Sequence, residues 1–182
     1  MGKVLESIDP ELAAWIEAQP VFFVATAPSG SDGHVNLSPK GYDTLRVLDG
    51  RTVAYLDLTG SGVETIAHLR DNGRITLMAC AFEGPPRIVR IHGTGEVVLP
   101  DDAAWGALRA GFPERSGARA VIRVAVDRLS SSCGYAVPFM ELVGERATLE
   151  QWSDRKSPEE LSAYHAEKNA SSIDGYPGLE PS

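Results

Sequence analysis

The sequence predicts a mainly β protein with a few helices, its antiparallel strands curled into a closed or nearly closed barrel. Short runs of β-branched and aromatic residues are separated by clusters of Gly, Pro, Asn and Asp. An Asp49-Gly50 pair, the strongest two-residue hairpin signal, lies between two of those runs. One helical pattern interrupts about six strand patterns, and a last strand follows another short helix; closing such a sheet on itself removes its exposed edges.

Asp9-Pro10-Glu11 supplies an N-cap, a proline at the first helical position and an acidic first turn. Leu12, Trp15 and Ile16 then repeat at helical spacing, so a short helix is expected to end near Gln19. Val21 to Thr26 reads as a strand, and the Pro28 to Gly33 cluster turns the chain into a second, His34 to Ser38. Thr44 to Leu48 and Thr52 to Leu58 flank the Asp49-Gly50 turn. Ser61-Gly62-Val63-Glu64 has the form of a capping box opening a helix to about Arg70. Arg74 to Phe82 and Ile88 to Leu99 are two further strands joined through Gly84-Pro85-Pro86. Asp101-Asp102 can cap a helix through about Ala110, and Val121, Val124 and Val126 mark the last long strand.

Composition changes after Val143, dividing the chain into a barrel part, 1–143, and an extension, 144–182. In the extension Ser157-Pro158-Glu159-Glu160 is a second capping box, leading a mainly polar helix. The segment from Asn169 onward is rich in Ser, Gly, Pro and Asp and by itself reads as a flexible tail.

The 182 residues carry 17 basic and 25 acidic side chains, a formal charge of -8 that repels a phosphate backbone, so no nucleic-acid partner is expected. No apolar stretch approaches the roughly 20 residues of a membrane helix. Met1 to Asp9 has neither a basic nor an apolar leader region, so a cytoplasmic protein without a membrane partner is expected. Cys80 and Cys133 form no disulfide framework, and His34, His68, His92 and His165 form no metal pair at helical or strand spacing.

Four segments could carry chemistry. Asn36-Leu37-Ser38-Pro39-Lys40-Gly41 ends a strand with a hydroxyl and a cation able to hold an anion, although a solvated strand end has the same composition. Thr59-Gly60-Ser61-Gly62 enters a helix whose first N–H groups lack intrahelical partners, as in a phosphate cradle; Glu64 opposes an anion there. Arg87 and Arg90, three apart on a presumed strand, face opposite sides, so one can reach a ligand while the other meets solvent or a partner. Cys133, in the segment Ser130 to Pro138 with Gly134 and Tyr135, would need a nearby base to act as a nucleophile. The sequence names none, and a structural cysteine in a tight loop fits as well.

These segments, in this order, resemble the flavin-mononucleotide (FMN)-binding split β-barrels of the pyridoxamine 5′-phosphate oxidase-like superfamily, over roughly Ile8 to Leu129. The most specific likeness is Arg87-x-x-Arg90-x-x-Gly93, similar to that family's strand motif of two arginines and a glycine beside the flavin. The chain departs where the oxidase proper has Ser-Arg-Lys at the helix start, reading Val63-Glu64-Thr65 instead. It also departs at Cys133-Gly134-Tyr135, where the oxidase proceeds to an arginine-rich substrate-binding strand. The later segments Tyr135 to Phe139 and Ser172-Ile173-Asp174-Gly175 look similar to an uncharacterised bacterial branch.

The resemblance implies an FMN-dependent oxidoreductase, with Lys40, Ser61, Thr65, Arg87 and Arg90 as cofactor contacts and Ser38, Gly62, Val63, Glu64, Cys133 and Tyr135 beside them. It points to Arg90 rather than Arg87 as the residue on the flavin. It implies a homodimer with flavin between two barrels, the C-terminal tail covering the partner's groove. A deazaflavin in place of FMN, or a flavin-binding stress-response module without turnover, is an alternative on the same fold. No catalytic residue or substrate is legible.

Overall fold

A computed structural model describes residues 2–179. Among them the chain forms, in order, β1 (Lys3–Leu5), α1 (Pro10–Glu17), β2 (Phe22–Thr26), β3 (Asn36–Lys40), β4 (Leu45–Asp49), β5 (Thr52–Leu58) and α2 (Glu64–Asn72). Then come β6 (Arg74–Cys80), β7 (Ile88–Val98), α3 (Trp105–Arg109), β8 (Ala118–Ser132), α4 (Thr148–Asp154) and α5 (Pro158–Lys168). The strands form one sheet in the order β3-β2-β6-β7-β8-β5-β4, with β1 also on β8, and every pairing is antiparallel. The end strands β3 and β4 do not pair. The barrel is therefore split, and α2 packs against β2, β6 and β7.

Strand alternation builds the interior. Phe22, Val24, Tyr55, Leu77, Val89, Ile91, Ile122 and Val124 point inward and are buried together with Leu12 and Ile16 of α1 and Ile66 and Leu69 of α2. A smaller cluster of Ala54, Leu56, Val98, Phe112 and Val121 lies on the other face of the sheet, under α3. Such burial is the main favourable term in the fold. Gly93 has a geometric reason to be glycine: a Cβ there would stand 2.1 Å from the Ala125 carbonyl oxygen, at the bulge where β7 crosses β8.

The structure corrects three expectations. The helix after Thr59 does not begin with a capping box at Ser61. Its N-cap is Val63, without a side-chain cap, and Glu64 instead accepts the Ile173 N–H at 3.3 Å, because the loop before the helix is held by the C-terminal segment. The Asp101-Asp102 pair does not cap a helix; Asp102 closes a turn on the Leu99 N–H at 2.6 Å, and α3 is a single turn or so further on. The tail does not hang free. Residues 169–179 fold back on their own chain, burying Asn169, Ser172 and Leu179, the last within the main core. The second capping box is formed as expected, by Ser157 and Glu160.

Candidate functional site

The split in the barrel is where polar side chains collect. In β2 and β3, Phe22 lies opposite Lys40, Val24 opposite Ser38 and Thr26 opposite Asn36, so Lys40, Ser38 and Asn36 share the inward face. Asn36 donates to Thr65 Oγ1 at 3.0 Å, tying the edge strand to the start of α2, and Ser38 donates to Asn36 Oδ1 at 3.1 Å.

Across the split, β5 carries Tyr55 and Asp57 on the same inward face. The Asp57 carboxylate, with 1% of its side chain exposed, receives Lys40 Nζ at 3.0 Å and Arg119 Nε at 2.7 Å. Regular alternation would turn Arg119 away from it. A bulge prevents this: Asp57 is opposite Ala120 and Leu58 opposite Ala118, so residue 119 has no partner on β5 and its side chain is re-aimed into the split. Burial pushes the Asp57 carboxyl up, but the Lys40 and Arg119 cations more than offset this and hold it below its ordinary value. The triad therefore keeps one net positive charge inside an acidic chain.

Further groups surround the triad. The Tyr55 hydroxyl is fully buried; burial pushes its pKa up, the Asp57 charge adds to this, and the Arg119 cation and the Thr65 hydroxyl oppose it. Asn169 is fully buried, its Oδ1 accepting from Arg119 Nη1 at 2.9 Å and its Nδ2 donating to the Gly60 carbonyl at 3.0 Å. His165 meets Thr59 Oγ1 at 2.9 Å. Under Tyr176, His68 is fully buried with Nδ1 3.0 Å from Thr26 Oγ1 and Nε2 unpartnered.

Of the residues singled out from the sequence, Ser38, Lys40 and Thr65 come together here. Ser61, Gly62, Val63 and Glu64 lie at the helix entry, but the C-terminal segment covers that entry. Asn169 bonds Gly60, Ile173 bonds Glu64, and a Cβ at Gly178 would come within 2.7 Å of Val63. Arg87 and Arg90 are elsewhere. Arg90 is on the outer face, donating to Ser132 Oγ at 3.1 Å, while Val89 and Ile91 take the core side. Arg87 precedes β7 on the opposite face, 3.4 Å from Ser131 Oγ and stacked 5.0 Å above the Trp15 ring. Cys133 and Tyr135 are exposed in the loop after β8. Sequence reasoning passed over Asp57, Arg119, His165 and Asn169. The available signal was Asp57 itself, a lone carboxylate inside the apolar run Val53 to Leu58.

The sequence profile described as pyridoxamine 5′-phosphate oxidase matches residues 8–133, which include every strand from β2 to β8. The chain belongs to the pyridoxamine 5′-phosphate oxidase family. A relative from Aspergillus flavus, the pyridoxamine 5′-phosphate oxidase family protein ustO, is 40% identical over 191 residues, covering 96% of this chain and 76% of the relative. HupZ of Group A Streptococcus, in two crystal structures, superposes with TM-scores of 0.53 and 0.51 at 26% identity. Those superpositions cover 69% and 67% of this chain and 99% and 91% of HupZ. The family match stops at residue 133, so α4, α5 and the segment folded over the α2 entry lie beyond it.

A flavin phosphate, the group this family implies, fits one part of the site and not the other. Glu64 and the covering segment make the α2 entry unsuitable for an anion. Lys40 and Arg119 suit one. Lys40 gives Nζ to one carboxylate and keeps 22% of its side chain exposed, and among the described residues Arg119 Nη2 has no protein acceptor.

Proposed function

We propose that this chain binds flavin mononucleotide in the split of the barrel and serves as a flavin-dependent oxidoreductase, with the cofactor phosphate on Lys40 and Arg119. The observation that carries this reading is the Lys40–Asp57–Arg119 triad, two cations fixed by one buried carboxylate with a net charge of +1. Charge-assisted bonds to a phosphate are strong when the donors are already oriented, and the Asp57 carboxylate orients both before any ligand arrives. Ser38 and Thr65 add hydroxyls beside the triad. The flavin, when bound, supplies hydride and electron transfer; the protein supplies binding, orientation and electrostatics.

The same reading has two copies pairing around the cofactor sites. Large apolar side chains exposed on the single chain, Tyr135, Phe139, Met140, Leu142 and Val143 in the loop after β8, support an association that covers them. Among the described residues no helix is long and apolar enough to cross a membrane, so these side chains are not part of a membrane-spanning helix.

A fluorescence-quenching titration of the purified protein tests the cofactor. FMN is expected to bind more tightly than riboflavin, which shares its ring and lacks its phosphate. Equal affinities, or no binding of either, overturn the assignment. Sedimentation at micromolar concentration with flavin bound is expected to give a dimer, and a flavin-loaded monomer contradicts the pairing.

A further inference from the structure

Arg119 belongs to the barrel and is held there by Asp57, but a second side chain that holds it, Asn169, comes from beyond the family match. Asn169 sits at the end of α5 with its backbone fastened on both sides: its N–H bonds the His165 carbonyl at 2.8 Å and its carbonyl accepts the Leu179 N–H at 2.7 Å. Its side-chain amide can stand only one way round. A guanidinium faces Oδ1 and must donate, while the Gly60 and Ser61 carbonyls, 3.0 and 3.4 Å from Nδ2, must accept. One turn earlier, His165 Nε2 meets Thr59 Oγ1. The Thr59 hydroxyl spends its proton on the Gly117 carbonyl at 2.8 Å, so the imidazole is the donor to it. Gly117 has φ of +76° and stands two residues before Arg119, at the start of the bulge. The extension therefore holds Thr59, Gly60 and Ser61 before α2 together with Arg119.

We propose that Asn169 is a positioning residue of the anion site. By holding the Arg119 guanidinium while adding no charge of its own, it makes the C-terminal extension set the preference for a phosphorylated cofactor over its unphosphorylated form. Asparagine suits this role because it satisfies a cation and two carbonyls at once without cancelling the positive charge of the triad. An aspartate there would place a second carboxylate on Arg119, bring the triad to neutrality and face its oxygens toward the Gly60 and Ser61 carbonyls. The inference rests on the flavin-phosphate reading above and adds to it which part of the chain governs selectivity.

The test compares dissociation constants for FMN and riboflavin in wild type, Asn169→Asp and Asn169→Ala, with circular dichroism and a thermal melt of each. The expected result is that Asn169→Asp lowers FMN affinity on the order of tenfold or more while riboflavin affinity changes less than about twofold, with Asn169→Ala intermediate. A merely structural role would move both ligands together or only the melt. If wild type shows no preference for FMN, the flavin-phosphate reading itself fails. If wild type prefers FMN and folded Asn169→Asp keeps that preference, the positioning role is wrong and the reading stands. Should Asn169→Asp not fold, Asn169→Ala decides alone: an unchanged preference overturns the inference.

Discussion

Two sets of cations in this chain look alike in sequence and differ in the folded protein. Arg90 lies on the outer face of β7 and Arg87 just before β7 on the opposite face, both outside the split, each within reach of one serine hydroxyl, Arg87 also stacked on Trp15. Lys40 and Arg119 lie within the split of the barrel, joined through one carboxylate that is almost wholly buried. These two arginines are half-buried and held by neutral partners. The inner pair is preorganised by a charge that cannot leave it without great cost. A positive side chain becomes a candidate ligand-binding group when buried structure fixes its direction, and this separates the two sets more clearly than any spacing along the chain.

The sharpest way to break this contrast is to remove the carboxylate. Asp57→Asn leaves Arg119, with 6% of its side chain exposed, as an uncompensated buried cation. The expected loss of stability is about 3–5 kcal/mol by urea denaturation, the cost of breaking a buried pair from one side. A loss under about 1 kcal/mol would mean that the triad behaves like a surface cluster.

A second effect depends on pH. Burial pushes the His165 imidazole below its ordinary value of 6.5, and the Arg119 cation adds to this. Burial likewise lowers His68, against the opposing pull of Asp174, Glu64 and Asp71. Both histidines favour the neutral form when folded. Their contribution to stability is whole above pH 6.5 and is lost as pH falls from there through the depressed folded values, because the unfolded chain takes up protons first. The lowered carboxyls Asp57 and Asp174 act the same way at lower pH, beneath their ordinary 3.8. Amide-exchange protection of residues 157–179 is therefore expected to hold above pH 6.5 and to fall as pH drops below it. Protection that is constant or rises on acidification contradicts the docking described for α5 and the tail.

Arg87 and Arg90 give the smallest effect. Arg87→Ala and Arg90→Ala are each expected to change the FMN-to-riboflavin preference by under about 0.5 kcal/mol, since neither reaches the split and changes at separate sites couple weakly. Arg90→Ala weakens both flavins by one common factor if that side chain touches the ring. A selective loss of FMN in either variant would move the phosphate out of the split.

What was legible in the sequence follows from this contrast. Strands β2, β5, β6 and β7 were readable because their β-branched and aromatic runs are bounded by turn residues, and the Asp49-Gly50 turn announced its hairpin. Ser38, Lys40 and Thr65 were readable as polar residues at element ends. Asp57 left a signal, a lone carboxylate in an apolar run, but not the identity of its partners; Arg119 left none, since its partner is 62 residues away and the bulge that aims it has no local signature. The capping box at Ser61 was misread for a related reason. Its local pattern was sound, but Asn169, 108 residues further on, holds the Ser61 carbonyl and shifts the helix start. The tail looked flexible because its composition is that of a loop; its order comes from long-range contacts such as Leu179 in the core.

The most direct test is a double-mutant cycle in which the protein change is Lys40→Ala and the ligand change is FMN to riboflavin. Lys40 is the more exposed cation of the triad, so its removal leaves no buried charge unpaired: Asp57 keeps Arg119. The account predicts that Lys40→Ala weakens FMN by about 1.5–3 kcal/mol, the range for hydrogen bonds to charged groups, and leaves riboflavin nearly unchanged. Equal losses for the two ligands, or an FMN preference that survives intact, would place the phosphate away from the split and contradict the account.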